Sequence, residues 1–109
     1  MLQAALQHSY RIVVPSTMHD RVAPADTVDA LRRELKLALA KAFGGYTEHL
    51  GIGGFVAESG ELIEEQVYVI EACYQIADDD LIVGLARRIK AELDQESVMI
   101  RKDNEVYFV

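Results

Sequence analysis

Hydrophobic and polar residues alternate with a period of two along residues 46–56 and again along 62–76. This is the pattern of half-buried β-strands, whose successive side chains point to opposite faces of a sheet. Glu58-Ser59-Gly60-Glu61 lies between the runs and reads as a tight turn. In the resulting antiparallel hairpin, residues whose numbers sum to about 118 stand opposite each other. The even-numbered side carries Leu50, Ile52 and Val56 against Tyr68, Ile70 and Ala72, an apolar face for helices to cover. The odd-numbered side carries Thr47, His49, Gly51 and Gly53 against Glu65, Val67, Val69 and Glu71. That side mixes glycines, apolar residues and ionisable groups, which suits a ligand or a second subunit.

A helical period occurs twice. Val28, Leu31, Leu35, Ala38, Leu39 and Ala42 predict a helix over residues 26–43, with Asp26 or Thr27 as cap and Gly44 at its end. Ile82, Leu85, Ala86, Ile89 and Leu93 predict a second over 79–94, with Asp78-Asp79-Asp80 supplying its cap and acidic first turn. Tyr10-Arg11-Ile12-Val13-Val14, stopped by Pro15, reads as the first strand, and residues 98–101 read as the fourth. Residues 16–24 form a polar loop, and 105–109 form an edge strand or packed tail after an Asp103-Asn104 turn.

The order β-α-β-β-α-β predicts an α+β domain of the ferredoxin-like, split β-α-β kind: a four-stranded antiparallel sheet with both helices on one face and an extra C-terminal strand. The outer strands agree with the face assignment, since Ile12, Val14, Val98 and Ile100 join the helix side while Arg11, Val13, Met99 and Arg101 join the open side. A single domain over residues 1–109 is long enough to bury a core without a metal or disulfides.

The open face gathers Arg11, Thr47, His49, Glu65, Glu71 and Arg101 around a floor of Val13, Val67, Val69 and Met99. His49 lies diagonal to Glu71, so His49 with Glu71 or Glu65 offers an acid–base pair. Gly51 and Gly53 remove side chains from this face and predict a shallow groove. A bare sheet with valines on it is also a surface for a second copy, which predicts a homodimer through the open face. A further polar cluster, His19, Asp20 and Arg21 with Glu58 and Glu61, falls at one sheet end in this topology.

Composition narrows these options. The net charge is −7 and the pI near 4.8, with basic residues scattered, so direct nucleic-acid binding is disfavoured. No apolar run approaches the ~20 residues that span a bilayer, and the first residues lack the basic start of a secretory signal, so no membrane contact and a cytoplasmic location are expected. Cys73 is the only cysteine, which excludes an intramolecular disulfide, and its strand position predicts a small buried hydrophobe. No HxH or HExxH spacing points to a metal. Gly44, Gly45, Gly51, Gly53 and Gly54 follow a helix and enter a strand, the reverse of a phosphate-cradling loop, so no cofactor is expected.

Phe43-Gly44-Gly45-Tyr46-Thr47, followed by Gly60-Glu61-Leu62-Ile63-Glu64-Glu65, resembles a family of small uncharacterised bacterial proteins of predicted ferredoxin-like fold. The resemblance covers roughly residues 38–76 and implies that fold and a bacterial or mobile-element setting, without implying an activity. The expected function is therefore an acidic binding or regulatory protein, using the open face for a protein partner or small ligand. One alternative is a small dimeric enzyme with the His49–glutamate pair acting on a compact organic substrate. The other is an acidic inhibitor that imitates nucleic acid.

Overall fold

The alternating runs hydrogen-bond into one antiparallel sheet, seen in a computed structural model that describes residues 1–6, 8–18 and 21–109. The elements are β1 (His8–Pro15), β2 (Thr17–Met18), β3 (Arg21–Val22), α1 (Ala25–Phe43), β4 (Thr47–Val56), β5 (Leu62–Tyr74), α2 (Asp79–Glu92), β6 (Met99–Lys102) and β7 (Glu105–Phe108). The main sheet runs β4-β5-β1-β6-β7, the ferredoxin-like order with β7 added at one edge. The hairpin register is the one read from the sequence, with Thr47 opposite Glu71 and Val56 opposite Leu62.

The two periodicities meet in the core. Tyr10, Ile12, Val14, Ile70, Ala72 and Ile100 from even positions of the sheet are buried against Val28, Leu31, Leu35 and Leu39 of α1 and Ile82, Ala86, Ile89 and Leu93 of α2. Both helices therefore lie on one face, and the odd-numbered face is left open.

Several local features depart from expectation. Helix α1 starts at Ala25 with Pro24 in the cap position and no side-chain cap, so neither Asp26 nor Thr27 serves. The Pro24 carbonyl accepts the Thr27 and Val28 N–H groups at 3.1 and 3.2 Å, and Asp26 lies in the first turn, where the helix dipole favours an acid. Gly44 ends the helix at φ 93°, a conformation costly for residues with a Cβ, while its N–H reaches the Ala40 carbonyl at 2.8 Å. Asp78 caps α2 as expected, accepting from the Leu81 N–H at 3.1 Å. The polar loop after β1 contains the small β2–β3 ribbon.

The largest departure is in the hairpin. Among the described residues, strand β1 pairs with β5 from Pro15–Val67 to His8–Tyr74, so Leu62–Gln66 have β4 as their sole strand neighbour there. The outer halves of β4 and β5 thus form an arm beyond the helices, in a molecule 50 Å long and 27 by 22 Å across. Leu50, Ile52 and Val56 are on the predicted side of the sheet, yet they are 64%, 78% and 68% exposed rather than covered. Among the described residues no helix is long and apolar enough to cross a membrane.

Candidate functional site

Strand order and register place Thr47, Glu71, Arg11 and Arg101 in one row across β4, β5, β1 and β6. The Arg11 Nε donates to a carboxylate oxygen of Glu71. Arg101 stands opposite Arg11, so the row carries two guanidinium groups beside one carboxylate. Such a row can hold an anionic group at Arg101 and a cationic one at Glu71.

The next row holds His49 opposite Val69, and Val69 opposite Val13. Glu71 is engaged by Arg11, and Glu65 accepts from the Thr17 hydroxyl, which ties the β2–β3 ribbon to the sheet. Both candidate carboxylates for the His49 acid–base pair therefore have other partners. Gly51 and Gly53 do lie on this face, but Val67 leans over them. A Cβ at Gly53 would meet Val67 Cγ1 at 3.2 Å and one at Gly51 would meet Val67 Cγ2 at 3.5 Å. The missing side chain at Gly53 therefore makes room for Val67, which is largely buried, whereas the contact at Gly51 is ordinary van der Waals packing.

At the start of β4 the open face ends in a corner cleft of about 270 Å3 lined by Leu6, Phe43, Gly44, Gly45, Tyr46, Thr47, Glu71 and Cys73. Thr47 and Glu71 were legible as face residues, whereas the cleft's glycine and aromatic wall comes from the helix-to-strand link. Cys73 is exposed rather than buried, because its odd position puts it on the uncovered face opposite Ser9. A second cleft, about 490 Å3, lies on the arm between Leu50, Ile52, Glu64 and Gln66.

The predicted end-loop cluster is only partly placed. His19 and Asp20 lie outside the described residues, Arg21 is exposed in β3 opposite Met18, and Glu58 and Glu61 are exposed at the hairpin turn. No group of three His, Cys, Asp or Glu side chains able to hold a metal occurs among the described residues.

Two polar clusters join elements distant in sequence. Glu48 receives both Arg32 Nε and Nη2 at 2.8 Å, and Lys36 Nζ at 3.2 Å. The Arg32 guanidinium also lies 3.8 Å from the Tyr68 ring centre. Hydrogen bonds from Arg32, helped by Lys36 and opposed by burial, hold the Glu48 carboxyl below the usual carboxylate range. At the far end of the sheet, Asp79 pairs with Lys102 at 3.0 Å and accepts from Tyr10, while Asp103 accepts from the Ser9 N–H and the Tyr74 hydroxyl. His8 stacks on Tyr74 with ring centres 5.3 Å apart, and Tyr74 on Tyr10 at 4.4 Å. The i, i+3 and i, i+4 spacing of Asp29, Arg32 and Lys36 was the only sequence signal for either cluster.

No protein-family model and no curated protein sequence matches the chain. Among solved structures, a phage SAM lyase in complex with S-methyl-5′-thioadenosine matches with a TM-score of 0.71 at 18% identity, covering 100% of this chain and 94% of that one. A phage SAM lyase in its apo state matches with a TM-score of 0.67 at 18% identity and the same coverage. At that identity the likeness establishes the fold.

Proposed function

We propose that this chain binds S-adenosylmethionine at the corner of its open face and cleaves it to S-methyl-5′-thioadenosine. One observation carries the reading: the Glu71–Arg11–Arg101 row adjoins a cleft in a chain that follows the SAM lyase fold over its whole length. The ligand has a sulfonium and an ammonium group, a carboxylate and an adenine ring. Glu71 suits the cations, Arg101 suits the carboxylate as a planar donor, and the Phe43–Tyr46 wall suits the ring. The phage neighbours fit the mobile-element setting that the sequence resemblance implies.

Cleavage breaks the bond between sulfur and the side-chain γ-carbon, and the bonding pair leaves with sulfur, giving a neutral thioether. The γ-carbon is then closed by the substrate's own carboxylate, forming a lactone, or the fragment loses a β-proton and becomes an alkene. The first route needs no protein base and removes two opposite charges, so a valine floor that displaces water favours it. The second needs Glu71 to exchange its Arg11 contact for the β-proton.

Incubation with S-adenosylmethionine, followed by chromatography for the thioadenosine and mass analysis of the four-carbon fragment, tests the proposal and separates the routes. Glu71→Gln is expected to lower kcat/KM at least about tenfold. Turnover no faster than in buffer would overturn the catalytic reading.

A second reading is a non-catalytic binding or regulatory protein on the same face. It is supported by the separation of His49 from glutamates that Arg11 and Thr17 engage. Under it, S-adenosylmethionine or its thioadenosine raises the melting temperature without being consumed. A homodimer closing over Val13, Val69 and Met99 would cover the same corner, and such pairing would weaken as ligand is added.

A further inference from the structure

The arm is both apolar and acidic. Leu50, Ile52, Phe55, Val56 and Leu62 are each half or more exposed on it. Glu58, Glu61, Glu64 and Glu65 accompany them, and no lysine or arginine occurs between Lys41 and Arg87. A two-stranded hairpin is marginal in water by itself. Its outer strand, β4, is a sheet edge without the proline or lysine that commonly discourages contact.

The complementary surface is on α1. A groove of about 540 Å3 there is lined by Arg32, Arg33 and Lys36 together with Leu37 and Tyr46, and Asp29 is its one acid. Leu37 is 55% and Tyr46 47% exposed, so this groove is partly apolar, and with Arg32 and Lys36 held by Glu48 its remaining cation is Arg33. The tip of the arm projects away from it within one molecule: groove residues Arg32 and Lys36 bond Glu48 near the start of β4, and the rest of that strand carries Val56 and the turn roughly 26 Å further on.

We propose that the arm of one copy seats in the α1 groove of a second copy of this chain. Arm glutamates then meet Arg33, and Ile52 and Leu62 cover Leu37 and Tyr46. Each copy has both halves, so association continues until it closes, as a reciprocal dimer or as a ring. Leu50, Ile52, Val56 and Leu62 share the even-numbered face and offer on the order of 450 Å2, against the ~800 Å2 that each partner of a standard interface buries. This inference does not rest on the ligand reading.

Sedimentation velocity of the full chain over about 1–100 μM tests it, a range set by the affinities of interfaces this size. The intact protein is expected to associate in a salt-sensitive way. Arg33→Glu, on an exposed helix position, and Glu64→Arg, on the arm, are each expected to weaken association at least about tenfold, and the double variant to recover most of it. Ile52→Thr with Leu62→Thr is also expected to give monomers, with the circular dichroism spectrum unchanged. Monomer throughout for the intact protein would overturn the proposal. So would association that survives the arm variants and is lost in Met99→Glu, which would place the contact on the open sheet face instead.

Discussion

The Tyr10 hydroxyl, on the first long strand, donates to Asp79 Oδ1 at 2.5 Å and accepts the Asp78 N–H at 3.0 Å, so one buried side chain clasps the first turn of α2. Tyr10 contributes its ring to the core and its oxygen to the helix start, linking sheet and helix across 69 residues of sequence.

Removing that oxygen is the first test. Tyr10→Phe keeps the ring and leaves the Asp78 N–H without its acceptor, so urea unfolding should show a loss of about 1–2 kcal/mol. Burial, and then the bond to Asp79, raise the Tyr10 pKa above its ordinary value of 10.0. Below pH 10 the hydroxyl is protonated in both folded and unfolded chains. Above it the unfolded chain loses the proton first, so stability should fall as pH rises past about 10. The phenylalanine variant should lack this tyrosine's share of the decline.

Glu48 predicts the opposite limb. Its carboxyl is held below its ordinary 4.5 chiefly by Arg32. The unfolded chain therefore takes up that proton first as pH falls through 4.5, and the contribution is lost once the folded group protonates too. Thermal melts between pH 7 and pH 3, a window spanning ordinary carboxylates, should show a shallower decline for Glu48→Gln. An unchanged slope would mean that Arg32 and Lys36 do not bias its titration.

Leu39 is fully buried between α1 and the sheet. Leu39→Ala should cost about 2–5 kcal/mol by opening a cavity. Leu37→Ala, on the exposed side of the same helix, should change stability by less than about 0.5 kcal/mol in the monomer. The contrast checks the helix phase by paired denaturation curves.

Arg101 tests the ligand row without disturbing the core. Its side chain is exposed on the open face beside Arg11. Arg101→Gln should leave the melting temperature in place and weaken S-adenosylmethionine binding roughly tenfold by calorimetry, as loss of a charged hydrogen-bond donor implies. Equal affinity in both proteins would remove Arg101 from the site.

Much of this architecture was legible because turn, alternation and helical stripe agree. Glu58–Glu61 fixed the register that sets Thr47 against Glu71, and Ile12, Ile70 and Ile100 fixed the helix face. Alternation states which way Leu50 and Ile52 point, but not whether a helix reaches them. The 13 residues of β5 extend roughly 43 Å, whereas the 19 of α1 span only about 28 Å, so the far end of the hairpin outruns its cover. The fate of Glu71 depended on which neighbour reaches it: Arg11, directly opposite on β1, engages the carboxylate that His49 approaches only diagonally from β4. The corner cleft needed three-dimensional closure, since Leu6, Phe43 and Cys73 meet there from three separate segments.

The absence of lysine and arginine between Lys41 and Arg87 also determines how the protein meets proteases. Trypsin has no cleavage site anywhere on the projecting arm, however freely the arm moves, and complete digestion delivers β4, β5 and the start of α2 as one peptide. A glutamate-specific protease instead finds Glu58, Glu61 and Glu64 clustered at the tip. Comparing the two enzymes on the folded chain would separate opening of the arm from opening of the helical body.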